Sequence, residues 1–144
     1  MRATSRVCAS LLGLAAIFAC VSARAQDVVI VANKNVTLDT ISAAQLREIF
    51  TGVRSRLSDG TRVVPVLLKG GPAHEVFLRK HVGENPEEFR TRWRKAVFTG
   101  QGAMPKEFDS EGALLDYVAK YPGAIGYVSR VDAAGKIRVL NIFP

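Results

Sequence analysis

The sequence predicts an α/β domain in which helices flank a mostly parallel sheet. Three observations carry that expectation. Asp27-Val-Val-Ile-Val-Ala32 and Ala124-Ile-Gly-Tyr-Val128 are nearly continuous apolar runs, the signature of strands buried on both faces. Between them, strand-like runs alternate with segments of helical spacing, as a parallel sheet with helical crossovers requires. Residues 26–144 also offer enough chain for one compact domain and not for two.

Residues 1–25 stand apart from that domain. Arg2 and Arg6 form a basic start, and Leu11 to Val21 is an apolar run too short to span a bilayer comfortably. Ala23-Arg24-Ala25 supplies a small-x-small cleavage site, so residues 1–25 read as a secretory signal peptide cut after Ala25. Lipid attachment at Cys20 is disfavoured, because Phe18 stands where such signals take a small residue. The expected product is a single domain, 26–144, in the periplasm. Both cysteines, Cys8 and Cys20, leave with the signal, which removes disulfides, thiolate chemistry and cysteine metal sites from the reading. No second apolar span follows, so no stable membrane insertion is expected after cleavage. The remainder keeps 17 basic and 13 acidic residues, a modest excess that suits anionic small molecules or surfaces. Export argues against a nucleic-acid role.

The elements follow in order. After the first strand, Asn33-Lys34-Asn35 breaks the chain, and both Asn33 and Lys34 sit where a ligand could lie. Ser42 is a candidate N-cap for a helix with Leu46, Ile49 and Phe50 on one side, ended by Thr51-Gly52. Ser58-Asp59-Gly60 is a turn, and Arg62 to Leu68 a second strand. Pro72 to about Val82 is the next helix. Asn85-Pro86-Glu87-Glu88 starts another, in which Phe89, Trp93 and Val97 recur every four residues as a core face. Thr99 to Pro105 is a loop whose Gly100 and Gly102 could line a binding mouth. Ser110 caps a helix carrying Leu114, Leu115 and Val118 that stops at Pro122-Gly123. Ala124–Val128 and Lys136–Ile142 are the closing strands.

The turn between the second strand and its helix is the candidate site. Lys69-Gly70-Gly71-Pro72-Ala73-His74 leaves the first N–H groups of the helix aimed at open space beside a lysine. Free N–H donors and the positive end of the helix dipole suit an anion. Strand ends that meet helix starts are also where ligands bind in such sheets. The alternative is an ordinary connecting turn. His74 and His81 lie seven apart, near one helix face, but no third ligand stands at a useful spacing, so no metal is expected. One solvated and one half-buried histidine is the simpler account. The cluster Arg90-Thr-Arg-Trp-Arg-Lys95 reads as a wet helix face, with Glu87 and Glu88 in register to pair with Arg92 or Arg94. No hydrolase elbow, paired zinc histidines or nucleotide loop is present, and neither an enzyme nor a cofactor is expected.

Ile41-Ser-Ala-Ala-Gln-Leu-Arg-Glu-Ile-Phe-Thr-Gly52 resembles the segment of periplasmic phosphate-binding proteins in which a short helix ends in Ile-Phe-x-Gly. Ser58-Asp-Gly60 with Val64-Pro-Val66, then Trp93, Gly100 and Pro105, keep that family's order. Val118-Ala-Lys-Tyr-Pro-Gly-Ala-Ile-Gly-Tyr-Val128 is the most specific match. The resemblance implies one lobe of a periplasmic-binding-protein-like fold and the substrate-binding role of a phosphate ABC transporter. The ligand would be phosphate or a related oxyanion. The implied partner is a transporter permease, or a second copy of the chain completing the cleft. Full-length members have two lobes, and this chain has length for one. The family's Ser-Gly-Thr at the anion turn corresponds to Gly71, Pro72 and Ala73, counting back from Phe77. Both hydroxyls are missing and Pro72 has no N–H. The expected site is therefore weak: Lys69 for charge, with backbone N–H groups of Gly70, Gly71, Ala73 and His74. The alternative is a periplasmic protein-interaction or sensor-accessory module that has lost ligand binding.

Overall fold

The two apolar runs lie side by side at the centre of the sheet. β1 (Val29–Ala32) pairs antiparallel with β5 (Ala124–Val128), setting Ile30 opposite Tyr127 and Val31 opposite Gly126. Every residue of β5 is buried, as a continuous apolar run requires when both faces are covered. The computed structural model describes residues 27–132 and 135–144, so the expected signal peptide and its cleavage site lie outside the described residues.

Six strands form the sheet, in the order β2-β6-β1-β5-β3-β4. The others are β2 (Thr40–Ser42), β3 (Val64–Leu68), β4 (Lys106–Phe108) and β6 (Arg138–Phe143). β3 runs parallel to both β5 and β4, and β6 runs parallel to β2. β1 is antiparallel to both of its neighbours. Five strands therefore share one direction and β1 alone is reversed. One rim of the sheet gathers the carboxyl ends of those five strands and the amino end of β1.

The helices form where the sequence places them. Ser42 caps α1 (Ala43–Phe50) by accepting the Gln45 N–H at 3.1 Å, and Leu46, Ile49 and Phe50 are buried. α2 (Pro72–Phe77) continues as a wider π-helical turn, Leu78–Val82, and ends at Gly83 in the left-handed region. Asn85 opens α3 (Pro86–Phe98) with a capping box: it accepts the Glu88 N–H at 2.9 Å while Glu88 accepts the Asn85 N–H at 3.0 Å. Ser110 caps α4 (Glu111–Lys120). α4 packs so close to β5 that a Cβ on Gly126 would stand 2.9 Å from a Leu114 methyl and 3.0 Å from a Val66 methyl, so a larger residue there would have to push them aside.

Several expectations are corrected. The three-residue edge strands β2 and β4 carry no apolar period of their own, and they are strands because β6 and β3 offer them partners. Phe89 and Trp93 are buried as expected, but Val97 is exposed, because the last turn of α3 runs past the core. Arg92 pairs with neither Glu87 nor Glu88. Its Nε donates to Glu84 at 2.9 Å, across the entrance to the helix.

Candidate anion site

β3 delivers the candidate turn to the rim where the parallel strands end. The Lys69 N–H still belongs to the sheet, donating to the Phe108 carbonyl at 2.9 Å. The chain then turns through Gly70 to Gly71, whose φ of 94° and ψ of 173° fall where only glycine is unstrained. A Cβ at Gly70 or Gly71 would meet nothing within 4 Å, so the turn borders open space. Gly71 is the N-cap of α2, offers no side-chain cap, and accepts the Glu75 N–H at 3.1 Å. Among the described residues, the N–H groups of Gly70, Gly71, Ala73 and His74 have no hydrogen-bond acceptor. Pro72 has no N–H to offer.

Lys69 is not a free charge. Its Nζ stands 2.8 Å from Asp109, which follows β4 on the same rim, and this carboxylate raises the lysine pKa above its ordinary value. Both side chains are largely exposed, so the pair is screened by water. An incoming anion would meet Lys69 together with a carboxylate, which reduces the local positive potential.

His74 differs from its expectation. Its backbone lies in the first turn of α2, but its side chain is buried beneath the turn. The ring Nδ1 lies 2.5 Å from the Tyr127 hydroxyl, and that oxygen also accepts the Leu68 N–H at 3.1 Å. The hydroxyl and Nδ1 share one hydrogen bond, with the tyrosine donating when the neutral ring carries its proton at Nε2 and accepting when it carries it at Nδ1. Burial lowers the His74 pKa, with Arg90 adding to the effect, and burial raises that of Tyr127. The Tyr127 ring stacks on Phe77 at 3.9 Å, and Phe77 meets Phe50 edge-on at 4.7 Å. The floor of the turn is thus fixed to the core. His81 is half-buried and tilts against Phe77, so neither histidine is solvated.

Two other proposed lining groups are elsewhere. Because β1 is reversed, Asn33 and Lys34 fall at the opposite rim. There the Asn33 amide donates to the Val118 and Ala119 carbonyls and ties off the end of α4. Thr99, Gly100 and Gly102 lead into the amino end of β4, also away from Lys69, and a Cβ on Gly102 would touch Trp93. Sequence reading missed Asp109 and Tyr127. A tyrosine in an otherwise apolar strand was a usable signal, since a buried hydroxyl must find a partner.

No family model matches the sequence. The fold, a mostly parallel six-stranded sheet flanked by helices, is like that of one lobe of a periplasmic binding protein. Among solved structures it is similar to a protein from Clostridium perfringens described as a phosphate ABC transporter substrate-binding protein, solved with bound phosphate. That likeness has a TM-score of 0.61 at 18% identity, over 80% of this chain and 44% of that one. PstS from Borrelia burgdorferi gives 0.58 at 13% identity, over 81% and 48%. An ABC-type phosphate transport receptor from Vibrio cholerae gives 0.50 at 14% identity, over 80% and 45%. The chain spans somewhat less than half the length of each of these proteins. At such identities the likeness is one of fold.

Proposed function

We propose that the chain is an exported oxyanion-binding protein of the phosphate-binding type, reduced to a single lobe. It holds phosphate or a related oxyanion weakly at the turn from Lys69 to His74. The observation that carries this reading is the row of N–H groups at Gly70, Gly71, Ala73 and His74, without acceptors among the described residues and bordering open space. Lys69 supplies charge. The binding is weak because two hydroxyl donors and one N–H are missing, each worth about 1.5–3 kcal/mol toward a charged group, and because Asp109 competes for Lys69. A single lobe also leaves one side of the anion in water. A transporter permease or a second copy of the chain would be the partner that closes the cleft. Titration calorimetry with inorganic phosphate tests the reading. Binding should be weakened by Lys69→Ala and strengthened by Asp109→Asn, which frees the ammonium without adding a charge. Absence of heat at high phosphate from a protein shown folded by circular dichroism would sink it.

A second reading is favoured by the Lys69–Asp109 pair itself, which closes the charge that an anion would use. In that reading the lobe is a periplasmic protein-interaction or sensor-accessory module. A partner held equally well with or without phosphate, and indifferent to Lys69→Ala, would support it over the first.

A further inference from the structure

The last turns of α3 carry a patch that neither reading uses. Arg90, Arg94 and Val97 repeat along one side of the helix, and Phe98 and the loop residue Met104 complete a shallow groove of about 360 Å³. Phe98 is 92% exposed, Val97 46% and Met104 39%. Neither Arg90 nor Arg94 has an acidic partner among the described residues. The opposite side of the same helix is anchored, with Phe89 and Trp93 buried and the Trp93 ring N–H donating to the Phe50 carbonyl at 3.2 Å. A rigid helix therefore presents an aromatic side chain standing almost clear of the protein, flanked by two unpaired guanidinium groups.

We propose that this end of α3 is a membrane-surface contact, in which Phe98, Val97 and Met104 enter the headgroup boundary of an anionic bilayer while Arg90 and Arg94 meet its phosphates. The charge complementarity is direct: the patch is cationic and apolar, and an anionic lipid surface is negative over an apolar interior. Scale favours the bilayer over a folded protein partner. Three apolar side chains fall far short of the roughly 800 Å² per partner covered by a standard protein interface. A bilayer needs no such matched area, and it attracts each nearby cation separately. Side chains that stand clear of their own protein suit insertion better than they suit the wall of a pocket.

The contact is shallow and reversible, since the patch offers three apolar side chains and two guanidinium groups. It does not depend on oxyanion binding. The test places a reporter at the tip. Phe98→Trp, in the full chain, is mixed with phosphatidylglycerol vesicles carrying brominated acyl chains, and the unsubstituted chain, whose one tryptophan is Trp93, serves as the blank. Quenching of the new tryptophan is expected, weakened strongly at about 0.5 M salt. Adding Arg90→Gln and Arg94→Gln should raise the lipid concentration at half-quenching by about thirtyfold. Because all variants share the same N-terminal residues, the difference between them reports on α3. Three results would each overturn the proposal: no quenching, equal quenching by phosphatidylcholine vesicles, or an arginine double variant that titrates like its parent. Concentration-dependent self-association through Phe98 without vesicle quenching would assign the patch to a second copy instead, and would also overturn it.

Discussion

α2 and α3 both begin with proline at the first helical position, yet their first turns are held in opposite ways. α3 is held from outside. Asn85 and Glu88 exchange hydrogen bonds with each other's backbone and satisfy two of the donors that a helix start leaves open. α2 is held from beneath. Gly71 has no side chain to cap with, and the turn is fixed instead by His74, whose ring is bonded to Tyr127 under the backbone. A capped start is complete in itself. A start tied down only from below keeps its N–H groups available, and so the same local geometry yields a structural joint in one place and a candidate binding surface in the other.

That contrast can be broken from either side. The largest effect should come from Tyr127→Phe, which strips the buried Leu68 N–H and His74 Nδ1 of their shared partner. A loss of about 1–3 kcal/mol in urea unfolding is expected, and a neutral result would mean that the hydroxyl does not hold the turn. Asn85→Ala should cost about 1 kcal/mol through loss of the cap, measured the same way. It should leave phosphate titration unchanged, because α3 starts away from the candidate site. The smallest effect is a pH dependence. The folded pKa of His74 lies below its ordinary 6.5, so on acidification the unfolded chain takes up a proton before the folded one does. This contribution is fully present above about pH 6.5 and is lost as pH falls below it. Arg90, Glu75 and Tyr127 are the groups that face the ring. His81 shifts in the same direction, so His81→Gln isolates the His74 part. A urea midpoint that stayed flat or rose between about pH 7.5 and 5.5 would contradict a buried neutral histidine.

Much of this was legible in the residues, where one local rule dominated. Ser42, Asn85 and Ser110 announce their helices because a cap is a contact over three residues. β5 announces itself because burial on both faces leaves an unbroken apolar run. The turn at Lys69 to His74 was legible as a glycine turn leading into a helix for the same reason. Its chemistry was not, because Asp109 and Tyr127 reach it from 40 and more residues away, and sheet order brings them there. The reversed direction of β1 was equally hidden, since an apolar run reads the same both ways. It moved Asn33 and Lys34 to the far rim. Val97 kept the helical period of Phe89 and Trp93 but outran the core it was expected to join.

The reversal of β1 carries one more consequence. Val29 in the first strand and Asn141 in the last lie across from each other, extending the register that pairs Ile30 with Leu140. The chain thus enters and leaves the sheet on neighbouring strands at a single rim. Topologically the lobe is a cassette: it could be spliced into a surface loop of a host protein with its core undisturbed. The same rim also carries Lys69 and Gly71, with β5 standing between β1 and the strand that leads into their turn.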